Sequence, residues 1–303
     1  MIYRNYLGLD LQPLAMRAVS LRRKGKSTTL NGGRMLGLEE GVLAPSFRNP
    51  NIMKIETFIE SLHEVVGPLA GAENRISLAI PEQSGLQLLA DIESPLKSKS
   101  DGIDILKWQL RDKLPEDVEL QLDYQILYRE ETGRQKLLVV CMAKAVLEQY
   151  EEVLDEAGYG AELIGFRSMG LFNYYRPRLD TGENFALIQV EDGSLVFQYF
   201  QNSRLSFHRS RLVNHDIEDV YREISRSLAG EQGRFAGINR ASIFVHTNWD
   251  EKESLTEALG SLFSKEPELL KPVMERLTSE SLTLTEKQRL SLVTAVGSAE
   301  LLM

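Results

Sequence analysis

The segment Leu7-Gly8-Leu9-Asp10-Leu11-Gln12-Pro13, with Ala18-Val19-Ser20-Leu21 behind it, decides how this chain is read. Apolar residues alternate with glycine, aspartate and glutamine up to a proline, which is the pattern of a strand, a tight turn and a returning strand. The turn has the setting of a phosphate-binding loop but not its residues. Proline withdraws a backbone donor, and glutamine adds bulk where an anion needs bare N–H groups at close range. The segment therefore points to a soluble α/β scaffold rather than an enzyme.

Outward from this turn, a third strand follows the reversal at Lys24-Gly25-Lys26, so the N-terminus is a β-meander. Ile52, Ile55, Phe58, Ile59, Leu62, Val65 and Val66 recur at helical spacing, and Gly67-Pro68 is expected to end that helix. Ile76–Ile80, stopped by Pro81, completes a β-β-β-α-β unit. A polar break at 94–101 opens a smaller pattern: a short helix carrying Ile103, Leu106 and Leu110, closed by Leu114-Pro115, with Trp108 expected to pack against its neighbours. Two strands, 122–128 and 136–142, flank Glu130-Glu131-Thr132-Gly133, and an amphipathic helix through Val146, Tyr150, Val153 and Leu154 ends at Gly158. This gives an α-β-β-α insert. Three strands then return at 185–190, 194–200 and 205–209, punctuated by Asp192-Gly193 and Asn202-Ser203, with a helix through Ile217, Val220, Tyr221, Ile224 and Leu228 and a strand at 241–245. The β-β-β-α-β unit occurs twice.

Composition narrows the function classes. The chain has 303 residues, 43% of them hydrophobic and 26% charged, and no run reaches the roughly 18 apolar residues of a membrane helix. MIYRNYLGLD lacks the apolar stretch of a signal peptide, so the expected location is cytoplasmic. A formal charge of -9 disfavours nucleic acid and anionic membranes as partners. The basic cluster Arg17, Arg22, Arg23, Lys24 and Lys26 reads as a solvated hairpin rim. The single cysteine, Cys141, lies in an apolar run and is expected to be buried. Four scattered histidines, His63, His208, His215 and His246, have no metal-ligand spacing. Lys26-Ser27-Thr28 lacks the partner glycine of a P-loop, Ser168 lacks the frame of a nucleophile elbow, and the carboxylate pairs Glu116-Asp117 and Glu151-Glu152 point apart on the surface. No catalytic set and no metal site is expected.

Two β-β-β-α-β units with a small insert in the first resemble the organisation of the actin-like ATPase superfamily (ribonuclease H-like), in its FtsA and PilM branch. Leu7–Leu11 and Ala18–Leu21 match the family's opening strands, and Leu114-Pro115-Glu116-Asp117 before Leu122-Asp123-Tyr124-Gln125 is similar to its insert. Leu138-Val139-Val140 leading to Ala157-Gly158-Tyr159, and Thr294-Ala295-Val296-Gly297-Ser298-Ala299, resemble its strand-helix exit and terminal helix. The words favour PilM. The resemblance implies a first actin-like subdomain over 1–93 with 160–180, the insert over 94–159, and a second subdomain over 181–303.

Nucleotide sites in this superfamily use two glycine- and hydroxyl-bearing hairpin turns, because backbone N–H groups must reach the phosphates. Both turns are altered here. Gln12, Pro13, Leu14 and Ala15 follow Asp10, while Gln189, Val190 and Glu191 stand at the second turn; Val213-Asn214-His215 and His246-Thr247-Asn248 replace paired glycines. Asp10 survives where the family holds a magnesium-linked aspartate, and Arg17 stands where lysine is usual. Each lost contact to phosphate forfeits roughly 1.5–3 kcal/mol, so several losses weaken nucleotide binding by decades. Asp10, Gln12, Pro13, Arg17, Gln189 and Glu191 are thus degenerate nucleotide positions, and no cofactor, ATP with magnesium included, is expected.

What the resemblance implies is a scaffold of a type IV pilus or related secretion platform, peripheral to the inner membrane through a protein partner. That partner is the cytoplasmic tail of a PilN-like single-span protein, held in a groove beside the insert. A weak ATP-dependent switch of the same fold, and the cytoplasmic part of a type II secretion platform protein, are the alternatives. Homo-oligomers stay open. The C-terminal helix through Leu290, Val293, Val296 and Leu301 is expected to pack in the core rather than lie on a membrane, since it has no basic face.

Overall fold

A computed structural model describes residues 4–25, 27–93, 95–96, 98–230, 232–274, 277 and 283–303. Lys26 of the basic cluster and Ser94 and Lys97 of the expected break lie outside the described residues.

The first repeat contains β1 (Asn5–Gln12), β2 (Ala15–Lys24), β3 (Ser27–Gly37), α1 (Ile55–Ala70) and β4 (Arg75–Ile80), and it ends with β8 (Gly160–Phe166) and α4 (Arg167–Leu179). The second contains β9 (Phe185–Glu191), β10 (Ser194–Gln201), β11 (Arg204–Leu212), α5 (Ile217–Gly230), β12 (Ser242–Thr247), α6 (Lys252–Phe263), the two-residue β13 (Glu268–Leu269) and α7 (Glu286–Glu300). The two sheets have the same order, β3-β2-β1-β4-β8 and β11-β10-β9-β12-β13. In each, the first three strands are antiparallel and the last two run parallel to the first. The duplication read from the sequence is therefore a duplication of topology.

Between β4 and β8 lie β5 (Leu86–Ile92), α2 (Lys99–Gln109), β6 (Leu120–Arg129), β7 (Gln135–Ala143) and α3 (Lys144–Glu156). They form a third sheet of order β5-β7-β6, one strand more than the two expected, because β5 pairs along its whole length with β7. The small sheet therefore begins at Leu86.

Strand alternation decides what each sheet faces. On β1, Leu7, Leu9 and Leu11 join Phe58, Leu62, Val65 and Val66 of α1 in one core, so each buried side chain contributes about 1.5–3 kcal/mol. The other β1 face, Gly8, Asp10 and Gln12, turns toward the second repeat. On β9, Ala186, Ile188 and Val190 pack on α5 and α6, while Phe185 and Leu187 point back into a core shared with α4 and α7. Gln189 and Glu191 continue that inward face.

Helices α4 and α7 cross in the space between the sheets. Their contact depends on absent side chains: a Cβ on Gly297 would lie 1.9 Å from the Gly170 carbonyl oxygen, and α7 approaches β1 in the same way, where one on Gly8 would lie 2.0 Å from the carbonyl oxygen of Ala295. The start of α7 is fixed by a capping box, in which the Thr285 hydroxyl accepts from Gln288 N and the Gln288 side chain accepts from Thr285 N. Ser291–Ala299 are buried, so α7 is a core helix as expected, although Leu301 just beyond it is exposed.

Three sequence expectations need correction. Helix α1 runs through Gly67 and Pro68 and stops at Gly71, where φ is 60°. Pro68 lies within a turn of the helix end, so only one intrahelical donor is lost. Trp108 is 69% exposed, because Leu106 and Leu110 occupy the buried stripe of α2; its ring stacks under Arg111 instead. Arg17 is buried rather than part of a solvated rim, since its register opposite Asp10 puts both on the inward face. Cys141 is buried, and its thiol is pushed up to about 11 by that burial.

Candidate functional site

Two features stand out, a closed polar cleft between the repeats and an open apolar groove beside the small sheet. The cleft is built by the ends of β1 and β9, where alternation directs Asp10 and Gln12 from one sheet and Gln189 and Glu191 from the other into the same space. The β9–β10 turn, Asp192-Gly193, has φ of 42° and 77°, the left-handed pair that a tight hairpin requires.

Arg167, the first residue of α4, lies between the two ends. Its Nε donates to Asp10 Oδ1 at 2.6 Å, and its Nη2 donates to Glu191 Oε2 at 2.9 Å. Arg17 adds a second bridge, from Nη1 to Asp10 Oδ2 at 3.4 Å and from Nη2 to Asp192 Oδ2 at 3.2 Å. His246, at the end of β12, meets Glu191 Oε1 at 3.4 Å through Nε2, and its Nδ1 is 3.0 Å from the Tyr175 hydroxyl. Gln189 Nε2 donates to Glu191 at 2.8 Å, and Glu82 accepts from Ser168 N at 2.7 Å. Burial pushes the Glu191 carboxyl up, but the Arg167 guanidinium and the His246 hydrogen bond outweigh it and hold the group well below the usual carboxylate range. Asp10 and Glu82 are raised, because for them burial outweighs the arginines. Arg167 is held charged against its own burial by Asp10 and Glu191.

The sequence-derived positions divide. Asp10, Arg17, Gln189 and Glu191 converge on this network. Gln12 is buried beside it with both amide atoms lacking a hydrogen-bond partner, and Pro13 is exposed at the hairpin tip. Arg167, Asp192, Tyr175 and Glu82 are not marked by the sequence as members, and His246 enters there only among the residues that replace paired glycines. The available signal was Arg167 itself: a cation opening a helix opposes the macrodipole and needs nearby carboxylates. The remaining histidines are dispersed, and among the described residues no group of three or more side chains could hold a metal ion.

The groove lies between β6 and β8, each the outer strand of its sheet. Its larger part, about 520 Å³, is lined by apolar side chains including Ile126, Leu163, Met169, Phe172 and Phe200. A second part of about 280 Å³ extends it past Val140 toward Leu147 of α3, and the two share Asp123, Val140, Leu163, Ile164, Gly165 and Met169.

Neither a protein-family model nor a curated protein sequence matches the chain. Solved structures do. The chain superposes with a TM-score of 0.78 at 13% identity, over 97% of both chains, on a structure described as a PilM-PilN type IV pilus biogenesis complex. A Bacteroides thetaiotaomicron protein with an actin-like ATPase fold matches with a TM-score of 0.55 at 11% identity, covering 96% of this chain and 95% of that one. The fold is actin-like. The cytoplasmic domain of EpsL, an inner-membrane component of the Vibrio cholerae type II secretion system, matches at 0.53 and 10% identity over 96% and 94% of the two chains. Within this actin-like frame, the paired hairpins that the family resemblance assigns to phosphates are joined by guanidinium–carboxylate bonds. No helix among the described residues is long and apolar enough to cross a membrane.

Proposed function

We propose that this actin-like chain is a scaffold of a type IV pilus or related secretion platform, working at the cytoplasmic face of the inner membrane through protein contacts and without nucleotide hydrolysis. The observation that carries this reading is the groove between β6 and β8. Free strand edges offer backbone donors and acceptors to an extended peptide, and Leu163, Met169, Phe172 and Phe200 offer the apolar surface for its side chains. The occupant is the cytoplasmic tail of a PilN-like single-span protein. The likeness to a PilM-PilN complex supports this choice, and the Arg167 bridge supports a cleft without nucleotide, since a guanidinium paired with Asp10 and Glu191 stands among the residues that would have to receive phosphate.

A second reading, a weak ATP-dependent switch, is favoured only by the retention of Asp10. The test uses the cytoplasmic tail of a PilN-like protein, immobilised as a peptide at low salt. Retention of the purified chain, lost in Phe172→Glu with the circular dichroism spectrum unchanged, is the expected result; failure of the parent chain to be retained overturns the proposal.

A further inference from the structure

The groove has a charge direction. At the end lined by Gln121 and Leu147 its rim carries two exposed carboxylates, Glu151 of α3 and Glu162 of β8. In the middle, Asp123 is already matched by Lys99 at 2.8 Å. At the far end, past Phe172 and Phe200, the lining includes Arg176 and Arg204 against the single carboxylate Asp180. Arg176 is 3.5 Å from Asp180, while Arg204 lies over the Tyr128 ring at 4.7 Å, leaving a positive balance at that end. The two ends therefore have opposite sign, separated by a floor of Val140, Leu163, Ile164 and Met169, beside which the lining residues of β6 run from Gln121 to Leu127.

We infer that the groove takes an extended peptide in one direction only, with its cationic N-terminal end at Glu151 and Glu162 and a carboxylate-bearing end at Arg176 and Arg204. This rests on the peptide-groove reading above and adds the charge pattern of the occupant. Charge pairs at a rim contribute little individually, but they fix register and suppress reversed binding, because the wrong orientation sets like charges against each other at both ends. The occupant's chemistry agrees with its source at the leading end, where the free N-terminus of a cytoplasmic tail carries an ammonium group. An extended chain has the same rise as β6, so about seven residues, three or four of them facing the floor, run alongside Gln121 to Leu127.

The test uses two fluorescein-labelled probe peptides with one alternating leucine–valine core. The first has two lysines at its N-terminus and two glutamates at its C-terminus; the second has these charges exchanged. Anisotropy titration at low salt is expected to give binding about tenfold tighter for the first probe. The exposed double variant Glu151→Lys, Glu162→Lys is expected to remove or invert that preference. Equal affinity for both probes, each abolished by Phe172→Glu, overturns the charge direction and leaves the groove as a peptide site. Failure of both probes to bind overturns the direction and the groove reading together.

Discussion

Arg167 donates through Nη2 to Glu191 Oε2 at 2.9 Å, tying the helix that leaves the first sheet to the hairpin of the second. Both residues are buried, and Asp10 closes the bridge on the other side. Removing the guanidinium leaves two carboxylates in a low-dielectric site, Asp10 with only the 3.4 Å contact of Arg17 as a cationic partner and Glu191 with only that of His246. Arg167→Ala is therefore expected to lower stability by about 3–5 kcal/mol in urea unfolding. The triple variant Asp10→Asn, Arg167→Met, Glu191→Gln keeps volume without charge and is expected to recover much of that loss. A cost below about 1 kcal/mol for Arg167→Ala would show that the bridge does not hold the repeats together.

Acid and alkaline limbs of stability have separate causes. Burial raises Glu300, at the end of α7 beside Tyr174, to about 7 from an ordinary value of 4.5. The folded chain then holds a proton that the unfolded chain releases, so stability falls as pH rises from about 4.5 to about 7. Glu300→Gln is expected to be more stable than the parent at pH 8 by about 1–2 kcal/mol after discounting for partial solvation, and no different at pH 4. His208 runs the other way. Burial lowers it to about 4 from 6.5, so its contribution is present above 6.5 and lost as pH falls toward 4. His208→Gln is expected to flatten that acid limb, and urea midpoints across pH 4–8 check both variants.

The glycine crossing of α4 and α7 makes a sharper packing claim. Gly297→Ala must displace the Gly170 backbone, and a cost of at least about 2 kcal/mol is expected. Gly160→Ala meets no atom within 4 Å and is the matched control, expected to be near neutral. Calorimetric melting of the two variants separates them; equal melting temperatures would contradict the crossing.

The duplicated frame was legible because strand alternation and hairpin dipeptides are local signals. Leu7–Pro13 and the Asp192-Gly193 turn are each readable without knowing what they face. The strand β5 escaped because Leu86–Ile92 alternates weakly and takes its meaning from pairing with β7, from Ile92 opposite Gln135 to Leu86 opposite Cys141, more than 40 residues on. The site was half legible for a similar reason. Asp10 and Glu191 could be marked as misfits at hairpin turns, and His246 as a residue in place of glycine, but Arg167 enters only through the path of β8 into α4, and the meeting of His246 with Glu191 only through the parallel pairing of β12 with β9. Arg17 read as surface because a charge count cannot tell which face of a strand a residue occupies.

The central claim, that the cleft is filled by its own guanidinium bridge and takes no nucleotide, is tested most directly by calorimetric titration of the purified chain with ATP and magnesium. The expected result is no saturable heat of binding at micromolar to millimolar nucleotide. Saturable binding with a micromolar dissociation constant would contradict the account and make Asp10 a working ligand.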